Sequence, residues 1–173
     1  MKRLCPILLL FMAIIHFSSC EKDDICVEGD TPLLVIGFYD ITDTTFKSVN
    51  NLRILSTDND SILNSTTEYG FTDRSNSPDS ISMPLRISET TTTFQFISGS
   101  SSDDDGNEIG NIDELQFNYT VESSFVSRAC GFVASYIDLD IPREVTEEDW
   151  IQSINIIESN ITASNRIHVQ IFH

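Results

Sequence analysis

The chain has 173 residues, a single-domain length, and its composition, 40% hydrophobic and 21% charged with eleven Phe, is too apolar for a disordered protein. Ten Lys and Arg stand against 27 Asp and Glu, a net charge of −17, which repels phosphate backbones and removes nucleic acid from the expected partners. Anionic lipid is repelled as well, so any attachment to a membrane has to be covalent or hydrophobic; the plainer meaning of the acidity is solubility for an exported domain.

In chain order, Met1-Lys2-Arg3 is a short positive opening, followed by fourteen uncharged residues (4–17) and the small pair Ser18-Ser19 ahead of Cys20. That is the tripartite layout of a secretory signal. The apolar run falls short of the roughly 20 residues a membrane span requires. Phe17-Ser18-Ser19-Cys20 resembles a lipobox, with Phe17 where Leu is commoner; in that motif the Cys carries diacylglycerol through a thioether and the signal is cut just before it. The expected organisation is a lipoprotein signal peptide over 1–19, a lipidated tether over 20–30 and one domain over 31–173. An ordinary secreted protein and an uncleaved anchor are the alternatives. Cleavage removes Lys2 and Arg3, leaving 8 basic against 27 acidic residues, a net −19.

Cysteine counting bears on the same point. Cys5 leaves with the signal, and a free Cys20 would leave three thiols in an oxidising compartment, an odd number. An acylated Cys20 leaves Cys26 and Cys130 as a candidate disulfide, with two buried thiols as the alternative. Closing that loop of about 100 residues is worth up to roughly 4.7 kcal/mol on the chain-entropy model. Behind Cys20, Lys22-Asp23-Asp24 resembles the Lys-acidic-acidic export signal of Bacteroidota-type surface lipoproteins, which implies an outward-facing protein on the outer membrane.

From residue 31 onward the pattern predicts strand after strand. Segment 31–40 is apolar and β-branched, with Pro32 at its start, where a strand tolerates it. Segment 49–56 puts Leu52 and Ile54 on one face, and 80–86 is short, with Pro84 suited to an edge or bulge. Thr92, Phe94 and Phe96 alternate over 90–98, and Leu115, Phe117, Tyr119 and Val121 over 115–122. Segment 125–139 reads as one long strand bent at Cys130-Gly131, and 166–173 alternates through Ile167, Val169 and Ile171. Residues 146–161 have both a helical spacing and a strand-like Ile density; at most one helical turn, then a strand, is expected. The Ser- and Asp-rich stretch 98–111 predicts a mobile loop. About eight strands and no confident helix predict an all-β fold, a single antiparallel β-sandwich of immunoglobulin-like architecture without the Cys-Trp-Cys framework, because Trp150 follows both mature cysteines.

Few residues suggest chemistry. Only His168 and His173 remain in the mature chain, neither with the spaced partners of a zinc site, and His168 reads as a solvent-facing strand residue. Asp103-Asp104-Asp105-Gly106-Asn107-Glu108 has oxygen ligands suited to calcium, yet aligning Gly106 with the EF-hand glycine puts Ser101 and Ile112 at ligand positions; a solvated acidic loop is the better reading. No catalytic residue, cofactor or metal is expected. Asp43-Thr44-Thr45, Asp60-Ser61-Ile62 and Asp79-Ser80-Ile81 resemble an Asp-(Ser/Thr)-apolar O-glycosylation sequon of the same bacterial group, making Thr44, Ser61 and Ser80 candidate sites.

Residues 20–26 (Cys20-Glu21-Lys22-Asp23-Asp24-Ile25-Cys26), the 31–40 strand, 125–132 and the closing 167–172 together resemble an uncharacterised family of Bacteroidota-type outer-membrane lipoproteins. The resemblance covers nearly all of the mature chain, the acidic loop least. It implies the address and the paired cysteines, and no activity. The expected role is a non-enzymatic binding or scaffold module, held to the membrane by covalent lipid and serving another envelope protein. A glycan-binding accessory using Trp150, Tyr39 or Tyr69 is the second reading, with core packing as the plainer fate of each ring. A hydrolase built on a carboxylate pair is the third.

Overall fold

The period-two alternation of apolar residues is realised as nine strands in a computed structural model that describes residues 30–57, 61–66, 69–146 and 148–173. They are β1 Leu34–Tyr39, β2 Arg53–Ser56, β3 Ser61–Ile62, β4 Ser80–Met83, β5 Thr91–Ser102, β6 Glu108–Ser127, β7 Gly131–Asp140, β8 Ser153–Ile156 and β9 Val169–Phe172. One sheet has the order β4-β1-β9-β8 and the other β3-β2-β5-β6-β7. The inner faces meet in one core: Ile54, Phe94, Phe96, Leu115 and Phe117 from the larger sheet, with Leu52 just ahead of β2, pack with Ile36, Phe38, Val169 and Ile171 from the smaller. The fold is an all-β sandwich, as the alternation predicts. The ninth strand is the two-residue β3, too short to leave a periodic signal.

Four segments differ from expectation. The sheets are not purely antiparallel, because β1 and β9 run parallel, with Ile36 opposite Val169 and Phe38 opposite Ile171. All six residues of β1 are buried, and a strand buried on both faces has the same continuous apolar sequence whichever way its neighbour runs. The 98–111 stretch is not a long loop: β5 and β6 continue through it past a bulge between Ser98 and Ser101, and only 103–107 turn. There Asp103 Oδ1 accepts the N–H groups of Asp105 (3.0 Å) and Asn107 (2.7 Å), so the acid serves as the turn's own internal acceptor. Residues 125–139 are two strands rather than one: Cys130-Gly131 closes a turn between β6 and β7, with Gly131 at φ +70°. No helical turn forms in the described part of 146–161. Asp149 instead folds back on Thr146 by a 2.6 Å hydrogen bond from the Thr146 N–H, and the chain then enters β8.

Pro84 ends β4, an edge strand, where its missing N–H breaks no ladder. Among the described residues no helix is long and apolar enough to cross a membrane.

Candidate functional site

A cleft of about 210 Å³ opens between edge strand β3 and the segment that follows β4. Leu63 and Phe94 give it an apolar floor; Ser56, Tyr69, Arg86 and Thr92 supply hydroxyls, a phenol ring and one cation. Its wall is held by two tyrosines from the larger sheet. The Arg86 N–H donates to Thr92 Oγ1 at 3.1 Å, and the Tyr119 hydroxyl donates to the Arg86 carbonyl at 2.9 Å. With that proton committed, the 2.5 Å contact between Thr92 Oγ1 and the Tyr119 hydroxyl has threonine as donor, which closes a ring of three hydrogen bonds. The Tyr136 hydroxyl donates to the Leu85 carbonyl at 2.7 Å, and the two phenol rings meet edge to face at 5.1 Å. Burial pushes the Tyr136 phenol up to about 12 and raises Tyr119 as well, so both remain protonated donors at neutral pH. The cleft is a preorganised surface with room for a single ring or side chain, and among the described residues no carboxylate lines it.

Two acid clusters are tied to arginines. Arg143 reaches Asp113 at 3.1 Å and Asp149 at 2.9 Å, while Asp113 also accepts the Ile151 N–H at 2.8 Å. Asp113 is almost fully buried, and desolvation raises its carboxyl above the usual range despite the guanidinium. Around Glu108, Arg53 and Arg74 both donate to one carboxylate oxygen and Ser100 to the other, and Arg53 Nε faces Asp73 at 2.9 Å. Burial raises the Glu108 carboxyl, but its three donors outweigh that and hold it below the usual range. This cluster ties the turn end of the β5–β6 hairpin to Arg53 of β2 and to Arg74, and so Glu108 is structural where the acidic run invites a calcium ligand. Among the described residues no three His, Cys, Asp or Glu side chains converge as a metal ion needs.

The model of DUF6452, a family of unknown function, matches residues 51–173, from just ahead of β2 to the last residue. The chain belongs to the DUF6452 family. No curated protein and no solved structure matches it. In this DUF6452 member β1 precedes the matched stretch yet sits between β4 and β9.

The site residues expected from sequence scatter over this DUF6452 sandwich. Cys20, Lys22, Asp23, Asp24 and Cys26, with the whole of 1–19, lie outside the described residues. Cys130 is half-buried at the end of the β6–β7 turn, its N–H donating to Ser127 Oγ at 3.0 Å. Thr44 is exposed in a turn at φ +59°, and Ser61 is exposed at the start of β3. Ser80 differs: it is half-buried in β4, paired with Gly37, and its hydroxyl donates to Asp79 at 3.1 Å. His168 is not solvent-facing. It is 1% exposed, its Nδ1 accepts the Val35 N–H at 3.0 Å, and burial lowers its pKa, with a backbone bond to Ala163 acting in the opposite sense. His173 packs edge-on against Phe38 and Trp150 and is likewise lowered by burial.

Of the three aromatics considered for sugar stacking, Trp150 is engaged by the core, its indole N–H donating to Phe96 O at 3.1 Å. Tyr39 is buried and stacks on Phe46 at 4.6 Å. Tyr69 alone of the three lines the cleft. The sequence shows Tyr119 only as one residue of an alternating strand and gives Arg86 and Tyr136 no signal at all, because a tyrosine in such a strand carries no mark of what its hydroxyl holds.

Proposed function

We propose that this protein is a lipid-anchored lipoprotein of Bacteroidota-type outer membranes, facing outward, whose sandwich acts as a non-enzymatic binding module for another envelope component. The N-terminus carries the reading: a basic opening, fourteen uncharged residues and Cys20 stand only fourteen positions ahead of the first strand at Leu34. Lys22, Asp23 and Asp24 act in export, and Cys26 pairs with Cys130. In support of the pairing, Cys130 is not a free thiol. With Cys5 in the signal and Cys20 carrying lipid, Cys26 is the partner left. Thr44 and Ser61, both exposed, are the better-placed O-glycan acceptors; Ser80 requires β4 to loosen first.

The binding end of the module is the cleft under Tyr69 and Arg86, with its ring-sized apolar floor and rigid polar rim. A glycan ligand is the second reading, favoured by Tyr69: a half-buried ring beside hydroxyls and a guanidinium is the surface on which a sugar ring stacks while its hydroxyls are bonded. Whole-cell crosslinking followed by membrane extraction tests the module. One reproducible envelope partner is expected with the wild type and is lost in Tyr69→Ala and Arg86→Ala. Equal recovery from all three proteins, or none above background, contradicts the assignment. Titration with a polysaccharide panel separates the glycan reading, for which a flat response in every case is decisive.

A further inference from the structure

The β6–β7 hairpin runs out beyond the core. Residues 122–126 of β6 are exposed on both faces, and the ladder continues outward through Glu122–Ser135, Ser124–Val133 and Phe125–Phe132 to the turn at 128–130. Two aromatic rings stand at this tip in water. Phe125 is 60% and Phe132 72% exposed, and the two are cross-strand partners packed edge to face at 5.5 Å, with Val126 exposed on the opposite face. A pair of this kind does nothing for the sandwich core, which ends at Tyr136 and Ala134. Charge marks the same arm. In a chain with 27 acids, residues 123–137 contain none, and Arg128 at the turn is their one charge. An apolar tip stripped of acid and bearing a cation complements a phospholipid surface, which repels the rest of this protein.

We propose that the β6–β7 tip is a membrane-contacting arm that seats Phe125 and Phe132 in the interfacial layer of the bilayer holding the lipid anchor. The inference rests on the lipid-anchor reading and its Cys26–Cys130 pairing. Cys26 lies six residue steps beyond Cys20, a reach of at most about 20–22 Å when extended. The disulfide ends that tether on Cys130, two residues from Phe132. The tip is therefore held close to the acyl chains, whereas a tether ending only at Leu34 would let the domain stand about 46–50 Å away. Covalent lipid keeps the protein on the membrane; the aromatic tip fixes which end of the sandwich faces it, and the cleft beside β3, on the far edge strand of the same sheet, stays accessible.

The test uses the full lipidated protein in phosphatidylethanolamine–phosphatidylglycerol vesicles with brominated acyl chains, and a Phe132→Trp variant, with Phe125→Trp as a second reporter. Trp150, part-buried in the wild type, is the reference. The proposal expects blue-shifted emission from the tip tryptophan and its loss to the lipid bromines, beyond what Trp150 shows. It also expects that loss to vanish in Cys26→Ser/Cys130→Ser, although the protein still floats with the vesicles. Flotation with a water-like, acrylamide-quenched tip overturns the arm and leaves the lipid anchor standing. A tip shielded from acrylamide yet untouched by lipid bromine overturns it too, because protein rather than lipid then covers the rings. Failure to float together with an unacylated mass overturns the anchor and the arm with it.

Discussion

Removing the Tyr136 hydroxyl leaves the buried Leu85 carbonyl without its 2.7 Å donor, in a segment that also forms the cleft wall. Tyr136→Phe is expected to destabilise by about 1–3 kcal/mol, read as a lower urea midpoint at unchanged slope. An unchanged midpoint would mean that the wall is held by packing alone. The same phenol has a pH signature: with its pKa raised to about 12 from 10, the native state keeps a proton the unfolded chain gives up, so stability falls as pH rises from 10. The histidines act at the other end of the scale. Burial lowers both His168 and His173 below 6.5, so on acidification the unfolded chain takes up protons first and stability falls as pH drops below 6.5. Protonated at Nδ1, His168 also loses its place as acceptor for the Val35 N–H. Titration of the two ring resonances by NMR is expected to give midpoints below 6.5 for both; a midpoint at or above that for His168 contradicts its burial. Sequence alone placed His168 in solvent because a polar residue at a strand start carries no sign of the amide it will meet across the sheet.

Strands were legible where their alternation faces the core and illegible where they leave it. Phe94 and Phe96, or Phe117 and Tyr119, repeat every second residue because one face packs inward. Beyond the core, Ser101 and Ser102 of β5 and residues 109–112 of β6 are exposed at successive positions, so no alternation marks the strands and the run of Ser, Asp, Gly and Asn over 98–111 reads as loop. The parallel β1–β9 pair was hidden for the opposite reason, burial on both faces. Gly110 shows that the hairpin extension is a built element. Its φ is +150°, and a Cβ there would stand 2.8 Å from Ile97 Cγ2 and 2.9 Å from the Ser98 carbonyl, beside the bulge. Gly110→Ala is expected to cost about 1–3 kcal/mol in thermal or urea unfolding. A neutral substitution would indicate that the 98–111 strands are in fact the loop that composition suggests.

For the whole molecule, the sandwich places two different surfaces on one sheet: a polar-rimmed cleft beside edge strand β3, and the acid-free tip of the β6–β7 hairpin (123–137) on the opposite edge. The fold class was readable from the spacing of apolar residues, and the family match agrees that most of the sandwich is one inherited unit. The cleft was not readable, because it is assembled from residues as far apart as Ser56 and Phe94 with a wall held by Tyr119 and Tyr136. The account depends above all on what happens at Cys20. The most direct measurement is the intact mass of the protein extracted from the membranes of the producing cell, with and without reduction. The account predicts the mass of residues 20–173 plus acyl groups, rising by about two mass units when the Cys26–Cys130 bond is reduced. An unacylated mass would contradict the lipid anchor, and a mass that does not move on reduction would contradict the bond that ties the tether to the hairpin.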